Sequence, residues 1–202
     1  MVVNPPKPLL LCEPPAWGMD YLHRERGIPL STVDHAMAMH AICGHVPGYP
    51  PEPRAAHLAF PQVQRDQTVT WAELRGPLEA DGTPSKKGSR GVKGLWILPP
   101  PAESRILIVT EGAIKGLALH ARLAQASKTA WIVSTGGDPG QHQQQMLAWL
   151  VRELAIETIA LAQDRDLAGD QQAARCAQAI AIKAVRMAPP TPHKGWDDWV
   201  LS

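Results

Sequence analysis

Behind the proline triplet Pro99–Pro101 the chain alternates short apolar runs with helical-period segments, a pattern that few folds accommodate. RILIVT is a short β-branched apolar run with no polar alternation, as expected for a strand covered on both faces of a parallel sheet; AWIVS and ETIALA make a second and a third strand, and KAVRM a short fourth. Between them, Ile114, Leu117, Ala118, Ala121 and Ala124 recur at helical spacing, as do Met146, Leu147, Leu150, Val151 and Leu154. A third, alanine-rich helix is expected from Leu167 to Ile180, with Ala174, Ala177 and Ile180 inward. Such a βαβ succession implies an α/β fold: a parallel sheet with right-handed crossovers, flanked by helices.

The first half follows another logic. Prolines crowd its opening and the stretch VPGYPPEP at 46–53, where each removes a backbone donor and excludes long helices. In YLHRERGIPLSTVDHAMAMHA, Tyr21 and Leu22 predict a short helix ending at Gly27, and Ser31 or Thr32 a cap for a second. From His57 to Leu98 the runs HLAFP, TVTWAEL and GLWIL predict antiparallel strands whose turns hold a basic loop. The expected organisation is a small α+β domain over residues 1–100 and an α/β domain over 101–202, divided by the proline triplet.

Composition narrows the function classes. A chain of 202 residues can bury a core without disulfides or a metal clip, and its 45% hydrophobic and 19% charged content is that of a soluble globular protein. It shows neither a secretory signal nor a run of the ~18 apolar residues that span a bilayer, so the expected location is the cytoplasm, away from membranes. Cys12, Cys43 and Cys176 lie far apart with no zinc-like spacing, and histidines such as His35 and His40 read as ordinary positions. A net charge of +1 excludes a polycation, yet no acid falls between Gly82 and Ala102, where Lys86, Lys87, Arg90 and Lys93 stand among glycines.

In a parallel sheet, ligands collect beyond the carboxyl ends of the strands. Three acids stand there: Glu111 directly after RILIVT, and Asp164 with Asp166 after ETIALAQ. An Asp-x-Asp on an extended turn can share a hard cation through oxygen, although either pattern alone also serves as a helix cap. Gly136 and Gly137 after the second strand permit close backbone approach to a ligand, or simply a turn.

TEGAIKGLAL, then DRDLAG, then HKGWDDW resemble, in order and spacing, the toprim family shared by bacterial primases, topoisomerases and some nucleases. The resemblance covers about half the chain and implies a toprim, Rossmann-like sheet. It implies that Glu111, Asp164 and Asp166 are the catalytic residues and the ligands of Mg²⁺, with Mn²⁺ as a substitute. It includes Ala168 and Gly169, small residues that let the third helix approach the metal edge. The tail from Lys194 to Asp198 is similar to the KDWND segment of plasmid and phage relatives, with Gly195 where those have an acid; Trp196 and Trp199 are read as core anchors. Lys115 stands where relatives commonly carry an acid, either to pair with Glu111, to contact phosphate, or as a solvated lysine. YLHRERGIP and ELRGPLEADGTPSKKGSRGVKGLWIL resemble the domain of unknown function that precedes toprim domains in plasmid and integrative-element proteins. That match implies a basic loop arching toward the metal edge.

The reading that results is a Mg²⁺-dependent, primase-like nucleotidyl transfer on single-stranded DNA, or RNA, from nucleoside triphosphates, in mobile-element or plasmid replication or mobilisation. Lys86, Lys87, Arg90, Lys93, Lys115 and Lys194 are the expected nucleic-acid contacts. A toprim nuclease is the nearest alternative, and a non-catalytic nucleic-acid-binding module that docks on a helicase or relaxase is the other, suggested by a chain short enough to be a fragment. Topoisomerase activity is not expected, since Tyr21 and Tyr49 both lie in the small first half.

Overall fold

The computed structural model describes residues 9, 11–45, 57–79, 84–88 and 91–200; VPGYPPEP and Arg90 lie outside them. Helix α1 (Ala16–Asp20) runs into a π-helical turn (Tyr21–Glu25), and Gly27, at φ +62°, ends this first helical run. Helix α2 (Leu30–Ala38) starts from Pro29, whose fixed φ suits a helix start, so neither Ser31 nor Thr32 is the cap. Strands β1 (Leu11–Cys12), β2 (Cys43–His45), β3 (His57–Val63), β4 (Val69–Leu78) and β5 (Pro84–Gly88) form an antiparallel sheet in that order. Lys86 and Lys87, expected in a turn, lie on β5 with their backbones opposite Arg75 and Leu74. The pairing satisfies an edge that β4 would otherwise expose.

The second sheet contains β6 (Trp96–Leu98), β7 (Ile106–Thr110), β8 (Trp131–Ser134), β9 (Thr158–Ala162) and β10 (Ala184–Arg186), in the order β10-β9-β7-β8-β6. β7 to β10 are mutually parallel, as the βαβ succession implies. β6 is an antiparallel edge, and it precedes the proline triplet expected to mark the boundary. Helices α3 (Ala113–Gln125), α4 (Gln141–Glu153) and α5 (Leu167–Ala179) cover the sheet, and a short α6 (Trp196–Val200) closes the tail. No described helix is long and apolar enough to cross a membrane.

Alternate residues of each strand feed opposite cores. Leu107, Val109, Val133, Ile159 and Leu161 pack with Met146, Leu150 and Cys176 beneath α4 and α5. Ile108, Ile132 and Ala162 turn the other way, to Leu117 of α3, Trp196 of α6, and Leu22, Val33, Leu58 and Phe60 of the first half. One core therefore spans both halves. Trp96 anchors it, 1% exposed, with its indole N–H donating to Ala41 O at 2.7 Å. A β-bridge between Val63 and Leu95 links the two sheets directly.

Candidate active site

β7 and β9 are adjacent and parallel, with Thr110 level with Ala162, so the residues that follow them emerge at one rim. Glu111 stands first, its side chain about one-third exposed and its carbonyl accepting from Gly137 N at 2.7 Å. Gly136 and Gly137, at φ +62° and +102°, take a backbone conformation that suits glycine, and a Cβ on Gly136 would lie 2.5 Å from Gln62 Nε2, so the turn packs tightly beside Glu111.

Asp164 is buried, 8% exposed. Its Oδ2 accepts from Lys115 Nζ at 2.7 Å, whereas its Oδ1 is buried with no hydrogen-bond partner. The strand end beneath it is clamped by Arg186, whose guanidinium donates to Leu161 O, Gln163 O and Asp164 O at 2.6–3.2 Å. Helix α5 closes over the same peptide, because a Cβ on Gly169 would lie 2.2 Å from Asp164 O. Asp166 caps α5 through Gly169 N at 2.8 Å and accepts from Lys194 Nζ at 2.9 Å. The Lys194 hydrogen bond, helped by that N–H, holds its carboxyl below the usual carboxylate range and raises the Lys194 ammonium in return.

Lys115 also reaches Glu111 Oε2 at 3.4 Å, so one ammonium touches acids from two strand ends. Lys115 thus links Glu111 to Asp164, Asp166 pairs separately with Lys194, and among the described residues no three His, Cys, Asp or Glu side chains form a ready metal cluster. The tail lies against this rim, with Arg165 N donating to Lys194 O at 2.9 Å. Trp196 is buried in the core and meets Trp199 edge to face, as anchors would. Asp198 Oδ2 accepts from Gly195 N at 3.0 Å. At Gly195 a Cβ would lie 2.6 Å from Asp197 Oδ1, 3.3 Å from Asp198 Oδ2 and 3.6 Å from Asp164 Oδ1, so three carboxylates border one side-chain-free space.

The first half supplies the opposite wall of a cleft of about 390 Å³, lined by Arg26, Trp71, Glu73 and Arg75 across from Glu111 and Lys115. Arg26 pairs with Asp197. Glu73 holds Arg75 at 2.5 Å and accepts from Ala113 N at 3.3 Å, so β4 caps the first turn of α3 beside Glu111. Lys93 lies over the Trp71 ring, 5.1 Å from its centroid, and donates to Gly136 O at 3.0 Å.

Residues 108–200 match the family described as Toprim-like. They form a toprim-like domain. Solved structures share the fold more widely. The DnaG catalytic core matches with a TM-score of 0.61 at 19% identity, over 92% of this chain and 68% of that one. The primase fragment of the bacteriophage T7 primase-helicase protein matches with 0.56 at 19%, over 88% and 67%. The DnaG primase catalytic domain bound to single-stranded DNA matches with 0.54 at 17%, over 89% and 66%. Comparison with curated protein sequences gives no significant match.

Of the residues expected to act, Glu111, Asp164, Asp166, Lys115 and Lys194 share the rim of the toprim-like domain, and Lys93 lines the loop beside it. Lys86 and Lys87 lie on β5. Lys115 is not a solvated lysine, since its side chain is only 19% exposed. Arg26, Glu73, Arg75 and Arg186 were not singled out from sequence. Arg26 and Arg75 stand inside the quoted segments YLHRERGIP and ELRG, but only the cross-sheet packing turns them toward the toprim-like rim.

Proposed function

We propose that this chain is a divalent-metal-dependent nucleotidyl-transferring enzyme of the primase kind, making phosphodiester bonds on single-stranded DNA, or RNA, from nucleoside triphosphates. The observation that carries the reading is the cleft itself, where Glu111 and Lys115 of the toprim-like rim face two guanidinium groups, Arg26 and Arg75, from the preceding α+β region. Planar guanidinium forks match phosphate oxygens two at a time.

The residues fit a divalent ion, Mg²⁺ or Mn²⁺, because Asp164 Oδ1 is a buried carboxylate oxygen without a partner, and the carboxylates of Asp197 and Asp198 converge with it on Gly195. Asp164 and Asp166 would hold it, with Glu111 as the neighbouring acid. When bound, such an ion neutralises phosphate oxygens and makes an attacking oxygen more acidic. The remaining work belongs to the chain. Arg26 and Arg75 would anchor phosphates, and Glu111, its peptide fixed by Gly137 N, would accept the proton of the attacking hydroxyl. Lys86, Lys87, Arg90, Lys93 and Lys194 would follow the template backbone by charge.

The likeness to the primase part of a primase-helicase supports a helicase as partner, and a mobile-element setting is proposed on the sequence resemblance of the first half alone. A non-catalytic nucleic-acid-binding module is the second reading, favoured by Lys115, which already neutralises two of the acids.

Incubation with single-stranded template, labelled nucleotides and Mg²⁺ separates the readings. Primase-like chemistry predicts lengthened products that Glu111→Gln reduces by about 10²–10⁴-fold with template binding intact. Shortened products identify a nuclease, and binding without either product identifies the module.

A further inference from the structure

Lys115 stands one helical turn after Glu111 on α3, and that spacing alone would give a surface pair. Here the ammonium is drawn inward instead: 2.7 Å from Asp164 Oδ2, 3.4 Å from Glu111 Oε2, and far less exposed than Lys194 of the same rim. Glu111 and Asp164 follow different strands, and like charges brought to one rim of low polarisability repel unless a cation lies between them. Within the metal-dependent reading above, we propose that Lys115 is a built-in cation of the toprim-like rim, which takes the position shared by Glu111 and Asp164 and limits the site to a single divalent ion.

Among the paired groups of the rim, charge favours one ion over two. The acids Glu111, Asp164, Asp166 and Asp198 are opposed by the ammonium groups of Lys115 and Lys194, which leaves two negative charges. Asp197 is already matched by Arg26, and Glu73 by Arg75. One divalent ion neutralises that excess, and a second would leave the rim positive by two. Geometry gives the same answer: Asp164 offers its Oδ1 without a partner toward the space at Gly195, while its Oδ2 is engaged by Lys115. The ammonium carries fixed charge with three donors and adds no ligand-exchange position. Substrate phosphates would therefore meet one exchangeable metal and one fixed cation.

The test is Mn²⁺ binding to the whole chain, followed by titration calorimetry and by the paramagnetic signal of free Mn²⁺. Wild type is expected to bind one ion, and Lys115→Arg, which keeps the charge, to do the same. Lys115→Met, close in shape and uncharged, is expected to bind a second ion, or the first ~10-fold more tightly, as a gain of about one pKa-unit equivalent would give. Its melting temperature should be lower than wild type in chelator and rise more with Mn²⁺. Two ions in wild type overturn the proposal without any variant, as does equal stoichiometry and affinity in wild type and Lys115→Met. Absence of Mn²⁺ binding in every form overturns the metal-dependent reading and this inference together, whereas the preceding outcomes overturn only the inference.

Discussion

Gly169 shows how one missing Cβ sets the site. Alanine is normally the better helix former by ~1 kcal/mol, so on propensity alone Gly169→Ala in α5 would stabilise. A Cβ there would meet Asp164 O at 2.2 Å, a backbone atom held by Arg186 that cannot give way cheaply. The variant is therefore expected to lose about 1–3 kcal/mol in urea unfolding and to weaken Mn²⁺ binding; a gain in stability would contradict the packing described. At this scale the sequence was most legible for Glu111, Asp164 and Asp166, because a carboxylate directly after an apolar run has one place to go in a parallel sheet. It was least legible for Glu73 and Arg75. Their positions on β4 are ordinary strand positions until β4 is packed against the start of α3.

Among the elements, α2 and α3 meet through two stacked imidazoles, His35 and His120, whose centroids are 4.9 Å apart. His35 Nε2 donates to Pro99 O at 2.8 Å, and His120 Nδ1 lies 3.5 Å from Thr32 Oγ1. Burial, with His35 adding to it, pushes His120 down from 6.5 to about 4. Between those values the unfolded chain binds a proton that the folded chain refuses, so stability falls as pH drops through that window and levels off below it. The loss is on the order of 3 kcal/mol, at about 1.4 kcal/mol per unit. Urea midpoints measured from pH 7 to pH 4 should show this slope, and His120→Gln should flatten it; an unchanged slope would mean that other groups carry the acid sensitivity. The strand and helix order after the proline triplet is readable from periodicity because the central strands β7, β8 and β9, largely buried on both faces, leave no polar alternation. The edge strands β5 and β6 were misplaced, since three apolar residues or two lysines acquire a partner only from the strand that needs one.

For the whole molecule, the telling feature is a core shared by both halves, with Leu22, Val33 and Phe60 packed in one cluster with Leu117 and Trp196. Composition at the proline triplet suggested a boundary, yet β6 precedes it and belongs to the toprim-like sheet. That shared core fixes the antiparallel sheet over the rim and makes the cleft between Arg26, Arg75 and Glu111 a consequence of folding. The most direct measurement is the anomalous difference map of crystals of the full chain soaked in Mn²⁺. A single peak bound by Asp164 on its Gly195-facing side, within reach of Asp166 and with Lys115 still bridging Glu111, is the predicted result. A map with no Mn²⁺ at these carboxylates, or with the ion placed away from the cleft, would contradict the account.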